Sequence, residues 1–451
     1  MIIADLHIHS KYSRACSTSL DIDNLEKWAR VKGVGLLGTG DFCHPKWIVE
    51  LKEKLTEDGS GVLKTKSSFP FILQNEISLI YTQGGKGRRV HLVILAPSFE
   101  VVDKITAYLK SKGRIDYDGR PIFNISCEEF TRQLKAISED VEIIPAHAWT
   151  PWFGIFGSKT GFNSLEEAFG PMRKHIHAIE SGLSSDPEMN RRLSKLDDVR
   201  ILSFSDSHSF WPWRLGREAT IFELEELTYE NLIAAIRTGK GLKGTIEVDP
   251  GYGKYHYDGH RDCEVSMSPE VSSKVNKTCP VCDRPLTIGV LNRVEELADR
   301  SETEGRRIAD KDDKSYKLIP LHELIAAVLD TGMATKKAWT EYYDILKAGK
   351  DEYDVLLNVS EEELLKVTSK ELAELIMMNR KGELEVKPGY DGEYGKLVIG
   401  GKEVATSEED EKEKTPRERK ERQAKEDKSE EAKEKPRAKT PPPQKGLGEY
   451  F

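Results

Sequence analysis

The chain has 451 residues, 38% of them hydrophobic and 32% charged, and a formal net charge of -9. This length corresponds to about three domains of ordinary size. No apolar run approaches the roughly 18 residues of a membrane span, and the first residues lack the basic and apolar segments of a secretory signal. Six cysteines in so long a chain exclude a disulfide framework and suit a reducing compartment. We therefore expect a cytoplasmic protein with no membrane partner, in which a local groove can still bind nucleic acid.

Apolar and amphipathic segments alternate over the first 245 residues. The candidate strands are residues 2–9, 34–40, 69–80, 89–96, 141–146, 176–180 and 200–205. Segments with helical periodicity lie between them, and strands that alternate with helices at this spacing predict a parallel sheet or barrel. Seven candidate strands come close to the number in a (β/α) barrel, so we predict an α/β fold for residues 1–245.

Three further regions follow, each with its own composition. Residues 246–290 are rich in glycine, proline and cysteine, which predicts a small module with too little core to fold without a staple. Residues 291–400 turn helical, with capping boxes at Ser360-x-x-Glu363 and Thr368-x-x-Glu371, and we predict a helical C-terminal domain. Between residues 405 and 446 there is no aromatic residue and no Leu, Ile or Val, so we predict that residues 401–451 form a disordered charged tail.

Histidines and acids cluster at the ends of the predicted strands. Nine such residues lie at or close to these ends: His7, His9, Asp41, His44, Glu76, His91, His147, Asp206 and His208. Residues i and i+2 of a strand point to one face, and barrel enzymes build their sites where the strands end. Imidazole and carboxylate ligands together suit Zn, Mn or Fe. We therefore predict a multinuclear metal site, at which a bound cation activates water against a phosphodiester without a serine or cysteine nucleophile. Glu180 closes the sixth strand and has either a site role or a structural one.

Two loops beside the predicted site are aromatic. The candidates for DNA contact in these loops are Trp149, Trp152, Phe153, Trp211, Trp213 and Arg214. Aromatic faces beside a phosphodiester-cleaving site can stack on a base that has left the duplex. The alternative is ordinary packing that supports the metal-binding loops.

The cysteine-rich region contains two short knuckles. His260-x2-Cys263 and Cys279-x2-Cys282 are separated by 15 residues, which is the spacing of a structural zinc site. We predict that His260, Cys263, Cys279 and Cys282 bind zinc, with His256 as the alternative to His260. Such a closed site stabilises a small fold and carries out no chemistry.

Six short segments share a pattern of histidines and acids. They are Asp5-Leu6-His7-Ile8-His9-Ser10, Thr39-Gly40-Asp41, Asn75-Glu76, Val90-His91-Leu92, Pro145-Ala146-His147 and Ser205-Asp206-Ser207-His208. In these motifs residues 1–245 resemble the polymerase-and-histidinol-phosphatase (PHP) superfamily of metal-dependent phosphoesterases. The resemblance implies a distorted (β/α)7 PHP barrel that holds two or three metals.

The same resemblance implies which residues share a metal. The implied sets are His7, His9, Glu76 and Asp206 for one metal, Glu76, His91 and His147 for a second, and Asp41 with His208 for a third. It also implies Glu76, Asp206 and His147 as the catalytic residues. The second motif usually reads Thr-Asp-His in this superfamily, whereas Thr39-Gly40-Asp41 stands here, and His44 could take the place of the missing histidine.

The chain ends in an apolar segment after about forty polar positions. Gln444, Leu447, Tyr450 and Phe451 have the spacing i, i+3, i+6 and i+7 and resemble the motif that binds the sliding clamp, PCNA. A flexible tether with one such anchor would raise the local concentration of the protein at the clamp. The alternative is a tail that ends in aromatic residues by chance.

Taken in order, the PHP barrel, the zinc module, the helical domain and the clamp-binding tail resemble the endonuclease Q family of DNA-repair enzymes. The resemblance implies hydrolysis of the phosphodiester 5′ to a deaminated base (hypoxanthine, uracil or xanthine) or an abasic site, leaving a 3′-hydroxyl and a 5′-phosphate. It implies zinc at the structural site and in the active site, with Mg²⁺ or Mn²⁺ as alternatives for activity, and damaged DNA and the clamp as partners. Two alternatives stay open: a PHP phosphatase acting on a small phosphate ester, and a non-catalytic DNA-binding module attached to the clamp.

Overall fold

A computed structural model of the protein describes residues 1–399 and 401–404. The strands are β1 Ile2–Asp5, β2 Leu36–Gly38, β3 Leu63–Lys64, β4 Pro70–Gln83, β5 Lys86–Ala96, β6 Ile122–Phe123, β7 Glu142–Pro145, β8 Ala178–Glu180, β9 Arg200–Leu202, β10 Ala219–Phe222, β11 Leu242–Glu247, β12 Asp258–His260, β13 Val265–Met267, β14 Ser315–Lys317, β15 Glu385–Lys387, β16 Lys396–Ile399 and β17 Lys402–Val404. The helices are α1 Ile22–Lys32, α2 Pro45–Lys54, α3 Phe99–Lys112, α4 Cys127–Ile137, α5 Leu165–Phe169, α6 Pro187–Asn190, α7 Tyr229–Thr238, α8 Pro269–Lys274, α9 Val290–Leu297, α10 Glu302–Asp312, α11 Leu321–Leu329, α12 Lys336–Ile345, α13 Glu352–Leu357, α14 Glu361–Leu364 and α15 Lys370–Lys381.

The main sheet has ten strands of mixed direction, in the order β14-β11-β10-β1-β2-β4-β5-β7, with β3 and β6 paired to β4. Strands β8 and β9 form a separate parallel pair. Two backbone hydrogen bonds of 2.9 Å connect this pair to the main sheet: Ala148 N donates to Glu180 O beyond β7, and His9 N donates to Ser207 O beyond β1. The main sheet therefore curls into a half-barrel that the β8–β9 pair closes.

All seven strands expected in the first 245 residues are present. The expectation of a purely parallel barrel is wrong, because β5 runs antiparallel to both β4 and β7. Gln83 pairs with Lys86 across a turn made by Gly84 and Gly85, whose φ angles are 61° and 75°. A two-residue turn with positive φ angles closes a hairpin, whereas a parallel crossover needs a dozen residues or more.

The region expected to be helical contains α9 to α15, but it is not purely helical. Strand β14 lies within it and joins the main sheet parallel to β11. Strands β15, β16 and β17 form a small antiparallel sheet. Lys402–Val404, which we expected in the disordered tail, is therefore the last strand of this sheet. The rest of the predicted tail, including the clamp-binding motif at Gln444, Leu447, Tyr450 and Phe451, lies outside the described residues.

One of the two predicted capping boxes is present. Ser360 and Glu363 make both reciprocal hydrogen bonds at the start of α14. The box expected at Thr368 is wrong, because α15 begins one residue later and is capped by Ser369, which accepts from Leu372 N. The Thr368 hydroxyl instead donates to Glu341.

The C-terminal helices pack against α1 through a shared hydrophobic core and one buried ion pair. Lys32 Nζ lies 2.5 Å from Glu352 Oε1 and donates to Pro212 O at 2.8 Å. Glu352 also accepts from Leu321 N and from the Tyr342 hydroxyl. The ammonium of Lys32 and both carboxylate oxygens of Glu352 therefore have partners, as buried charges require. In the part of the chain that the structure describes, the helices are all too short or too polar to cross a membrane.

Candidate metal centre

Four side chains from three parts of the chain converge at the ends of β1 and β9 and in the middle of β4. The ligand atoms of His7, His9, Glu76 and Asp206 all lie within 4.8 Å of one another. His9 Nε2 lies 3.2 Å from Glu76 Oε2 and 3.1 Å from Asp206 Oδ1. His7 Nε2 lies 3.6 and 3.5 Å from the same two oxygens. This is a mixed imidazole and carboxylate set of the kind that binds first-row transition metals.

A second group shares Glu76 with the first. His91 Nδ1 lies 2.6 Å and His147 Nε2 3.3 Å from Glu76 Oε1, and the two imidazole nitrogens are 3.2 Å apart. The two oxygens of Glu76 therefore face different pairs of histidines. The structure thus brings together six of the nine predicted ligands, as two groups joined by one carboxylate.

Two of these six residues sit on strained backbone. The φ angle is 30° at His147 and 48° at Asp206, and it is 45° at the nearby Asp41. Positive φ is costly for residues other than glycine, and it persists where the surrounding structure holds the residue in place, as at many functional sites. Local hydrogen bonds hold these conformations: His147 N donates to Glu180 Oε2 at 2.8 Å, and Ser10 N donates to Asp41 Oδ2 at 2.7 Å.

The charges of the cluster stabilise one another. Burial alone would lower the pKa of His7, but Glu180, Asp206 and Glu76 raise that pKa well above its usual value. Burial opposes ionisation of Glu76, yet His91, Arg120 and His7 hold the pKa of Glu76 well below its usual range. The acids are therefore carboxylates, which is the form that binds a cation.

The residues present fit a divalent cation. His7 is fully buried, and its Nε2 makes no hydrogen bond to any described residue, although it faces two carboxylate oxygens. A buried polar atom without a partner is costly, and a cation bound beside it would remove that cost. The donor set of imidazoles and carboxylates points to the same kind of ligand.

Three of the nine predicted ligands are in neither group. Asp41 lies behind His9: its Oδ1 is 3.0 Å from His9 Nδ1, and its Oδ2 accepts from Ser10 and Ser13. Its carboxylate is thus occupied in orienting an imidazole, which is a usual role for an acid behind a metal-binding histidine. The expectation that Asp41 binds a metal is therefore not supported by its contacts.

The other two histidines lie beside the two groups without belonging to either. His44 is the N-cap residue of α2, makes no side-chain capping hydrogen bond, and stacks on Tyr12 with ring centroids 4.4 Å apart. His208 stacks beside His9 at 4.3 Å, and its Nδ1 lies 3.0 Å from the Asp206 carbonyl oxygen. In the described part of the chain Asp41, His44 and His208 do not form a ligand group of their own, and their role at a third metal stays a prediction.

Two further residues contact the cluster. The sequence analysis left the role of Glu180 open and did not identify Arg120. Glu180, at the end of β8, has both carboxylate oxygens 3.0 Å from His7 Nδ1 and so supports a metal-binding histidine from behind. Its place at a strand end was the available indication. Arg120 Nη1 lies 3.0 Å from Glu76 Oε2, and a single arginine in a loop offers no pattern by which the sequence could have identified it.

Replacing Glu180 with glutamine is expected to weaken metal binding by about 10- to 100-fold, because His7 loses the charged partner that orients its ring. Competition with a coloured chelator measures this change. Glu142→Gln is the matched control. Glu142 is a buried acid whose Oε1 lies 2.8 Å from His177 Nδ1, and it does not belong to the cluster. Equal affinities in both variants and the wild type would show that Glu180 does not support the site.

Three of the six predicted DNA-contact residues are buried and three are partly exposed. Trp149 is 1% exposed and donates to Asn190 Oδ1, and Trp213 and Arg214 are each 7% exposed. Burial argues against direct DNA contact by these three residues. Trp149 packs on Phe156, and Trp213 belongs to an aromatic cluster with His322 and Trp339, because the loops fold inwards onto neighbouring helices.

The three remaining candidates are partly exposed. The Phe153 ring packs against His91 at a tilt of 36° with ring centroids 4.3 Å apart, so it lies directly beside the second ligand group. Trp152 meets Tyr255 at 5.6 Å, and Trp211 stacks on Trp213 at 5.4 Å.

The predicted zinc ligands also converge. His260, Cys263, Cys279 and Cys282 offer ligand atoms within 4.8 Å of one another, and Cys282 Sγ lies 3.4 Å from His260 Nδ1. The β12–β13 hairpin brings in the first knuckle. The second knuckle is a tight turn in which Cys279 N donates to Arg284 O and Asp283 N donates back to Cys279 O. His256, the alternative ligand, is outside this group.

Comparisons with known sequences find relatives over different parts of the chain. A family model for the MJ0043 C-terminal domain matches residues 320–383. The uncharacterized protein MJ0043 of Methanocaldococcus jannaschii is 33% identical over 290 residues, which are 63% of this chain and 35% of that protein. The chain thus spans about a third of the length of MJ0043. The uncharacterized protein YqxK of Bacillus subtilis is 29% identical over 415 residues, 88% of this chain and 99% of YqxK.

Two crystal structures are similar over most of the chain. One is the lesion-specific endonuclease PfuEndoQ from Pyrococcus furiosus, at 31% identity and a TM-score of 0.78, covering 88% of this chain and 95% of that one. The other is endonuclease Q in complex with a 27-mer duplex substrate that has an abasic lesion at the active site. It has 31% identity, a TM-score of 0.77 and coverage of 88% and 96%.

A half-barrel of mixed strands carries two groups of histidines and carboxylates joined by Glu76, which is the arrangement of a metal-dependent enzyme. The similarity to the two crystal structures extends beyond that barrel to almost their full length. The chain belongs to the endonuclease Q family.

Proposed function

We propose that this protein is a metal-dependent DNA-repair endonuclease. It hydrolyses the phosphodiester 5′ to a deaminated base (hypoxanthine, uracil or xanthine) or an abasic site and leaves a 3′-hydroxyl and a 5′-phosphate. The observation that carries the proposal is the match over 88% of the chain to endonuclease Q bound to a duplex with an abasic lesion, together with two converged ligand groups. A phosphatase for small esters would not need the region beyond residue 245, into which this match also extends.

The residues of the chain prepare the site in three ways. His7, His9, Glu76 and Asp206 would hold one cation, and Glu76, His91 and His147 a second. Bound cations supply activation of water and neutralisation of charge at the scissile phosphate. Asp41 and Glu180 accept from the outward-facing nitrogens of His9 and His7, at 3.0 Å each. In a neutral imidazole this contact places the proton on the outward nitrogen, so the opposite nitrogen would be the one that binds a cation.

Lesion choice would come from the energy of extruding a base. A base that pairs poorly, or is absent, costs less to remove from the stack. Phe153, Trp152 and Trp211 are the partly exposed aromatic residues available to stack on an extruded nucleotide or on its neighbours. Phe153 is the strongest candidate because its ring already lies on His91.

The proposal is tested by incubating the purified protein and Mn²⁺ or Mg²⁺ with duplexes that each contain one deoxyinosine, deoxyuridine, deoxyxanthosine or abasic site. A single nick 5′ to the lesion, absent from the undamaged duplex and abolished by a chelator, is the expected result. Release of phosphate from small esters without nicking would instead support the phosphatase. Tight DNA binding without any turnover would support the non-catalytic module.

We also propose that His260, Cys263, Cys279 and Cys282 bind a structural zinc ion. Four soft and borderline ligands in a closed set, with no free position, are typical of such sites. Desolvation opposes ionisation of Cys279, but backbone amides of Val281 and Cys282 lower its pKa to about 7, which favours the thiolate that zinc requires.

Cys279→Ser is expected to remove one zinc per chain and to unfold the segment around both knuckles, because metal binding and folding are coupled in modules this small. Atomic absorption and hydrogen exchange of residues 258–293 measure both effects. Cys127→Ser serves as the control, since Cys127 is a buried free cysteine at the start of α4. An unchanged zinc content in Cys279→Ser would exclude this site.

The C-terminal motif is proposed to bind the sliding clamp. Deleting residues 444–451 is then expected to leave basal nicking unchanged and to abolish its stimulation by the clamp, because tethering raises only the local concentration. Nicking rates with and without clamp measure this difference, and Gln444→Ala with Phe451→Ala should reproduce it. Loss of basal nicking on deletion would contradict a tethering role.

A further inference from the structure

A positively charged side chain that belongs to neither ligand group contacts the metal-binding cluster. Arg120 Nη1 lies 3.0 Å from Glu76 Oε2, the same oxygen that lies 3.2 Å from His9 Nε2. The Glu76 side chain is fully buried, whereas 27% of the Arg120 side chain is exposed. Arg120 therefore joins the fully buried shared carboxylate to a side chain that is partly open to solvent.

The backbone on both sides of Arg120 is fixed to the site. Gly119 N donates to Tyr12 O at 3.1 Å, and Gly119 O accepts from Asn75 Nδ2 at 3.3 Å, one residue before Glu76. A Cβ atom at residue 119 would lie 2.1 Å from Asp41 Oδ2, so only glycine allows this approach. Tyr12 and Asn75 thus hold the loop in place, with Gly119 packed closely against Asp41, the acid that orients His9.

The segment after Arg120 is equally well anchored. Ser78 N donates to Pro121 O at 3.1 Å, and β6 then pairs in parallel with β4, two residues beyond Glu76. A donor fixed in this way needs little reorganisation when charge develops nearby, which is the property of groups that stabilise transition states. A guanidinium group keeps its positive charge throughout the accessible pH range, so the charge is permanent.

We propose that Arg120 is a catalytic residue whose guanidinium binds a non-bridging oxygen of the scissile phosphodiester. The proposal rests on the phosphodiesterase function proposed above. A guanidinium has five N–H donors in a planar fork that matches phosphate oxygens, and Glu76 faces one nitrogen of that fork. Negative charge on the non-bridging oxygens must be stabilised during hydrolysis, and a preorganised arginine is suited to that task. The competing explanation is that Arg120 only balances the charge of Glu76.

The two explanations differ in what Arg120→Ala changes. Rates are measured on a lesion duplex and on bis(p-nitrophenyl) phosphate, with metal content, thermal midpoint and the affinity for inorganic phosphate measured alongside. Arg114→Ala is the control, because Arg114 is in the same loop, is 73% exposed and pairs with Asp116 rather than with the cluster.

Arg120→Ala is expected to slow cleavage of both substrates by about 10²–10³-fold, the usual effect of removing one such donor. It should weaken phosphate binding and leave metal content and thermal midpoint as in Arg114→Ala. Arg120→Lys should recover part of the rate, and added guanidinium ion should recover part of the rate of Arg120→Ala. Cleavage by Arg120→Ala within threefold of the wild type, or a loss of rate that follows a loss of metal, would overturn the proposal.

The small diester separates this proposal from the proposed function. If the wild type cleaves the small diester but no lesion duplex, the repair function fails, and the comparison of Arg120 variants on the small diester still decides the role of Arg120. A wild type that cleaves neither substrate with any metal overturns both proposals.

Discussion

Glu76→Gln is expected to slow nicking of a lesion duplex by about 10³-fold or more. Glu76 belongs to both ligand groups, and its two oxygens face four histidines at distances of 2.6 to 3.6 Å. A neutral amide in its place removes the carboxylate that the two groups share, and it turns an N–H donor towards the cations. Metal content and nicking rate of the same preparation measure the effect.

The Glu76 variant should still bind the duplex, because phosphate contacts spread over a whole interface supply most of the affinity for DNA. Asp206→Ala should behave in the same way, since Asp206 belongs to the first ligand group. Glu142→Gln, a buried acid outside the cluster, controls for the general effect of neutralising a carboxylate. Nicking by Glu76→Gln at a rate near that of the wild type would show that the assigned site is wrong.

Lys32→Met is expected to lower the free energy of unfolding by about 3–5 kcal/mol. The exposed fractions of Lys32 and Glu352 are 1% and 0%, so removing the ammonium leaves a carboxylate without a cation in a site that water does not reach. The variant also removes the hydrogen bond to Pro212 O, in the loop that follows Asp206 and His208. Urea unfolding followed by circular dichroism measures the change.

Lys54→Met is the matched control. Lys54 lies at the end of α2 and pairs with Asp23 at 2.7 Å, but the two side chains are 45% and 70% exposed. An exposed pair contributes about 1 kcal/mol or less, so this variant should unfold close to the wild type. A loss of stability in Lys32→Met as small as that in the control would mean that the buried pair does not hold the C-terminal helices to α1.

The sequence predicted the strands well and their directions poorly. Runs of apolar residues identified all seven barrel strands, because burial on both faces leaves a strong pattern. Direction is set by the connections, and the turn at Gly84 and Gly85 reverses the chain between β4 and β5. That glycine pair was the available indication of a hairpin. Strands β10, β11 and β14 were not predicted, although β10 and β11 are longer than the three-residue strands β8 and β9.

The candidate site was predicted to the level of residue type and strand end. Six of nine expected ligands converge, because histidines and acids at the ends of neighbouring strands meet at one edge of the sheet. Whether such a residue contacts the cation or the imidazole behind it depends on side-chain orientation. Asp41 turns towards His9 because Ser10 and Ser13 donate to its other oxygen, and no spacing in the sequence encodes that choice.

The exposure of the aromatic loops could not be predicted from the sequence. Four tryptophans near one predicted site suggested an exposed surface, but Trp149 and Trp213 are buried. Trp213 packs on residues of α11 and α12, more than a hundred positions away in the chain. Burial of this kind is a tertiary property, and a local aromatic pattern cannot distinguish it from a stacking platform.

The central claim is that the two groups joined by Glu76 hold adjacent cations. Anomalous difference maps from crystals grown with Mn²⁺ test it most directly. We expect one peak bounded by His7, His9, Glu76 and Asp206 and another bounded by Glu76, His91 and His147, with both reduced in Glu76→Gln. An active wild-type preparation whose crystals show no peak at either group would contradict the claim.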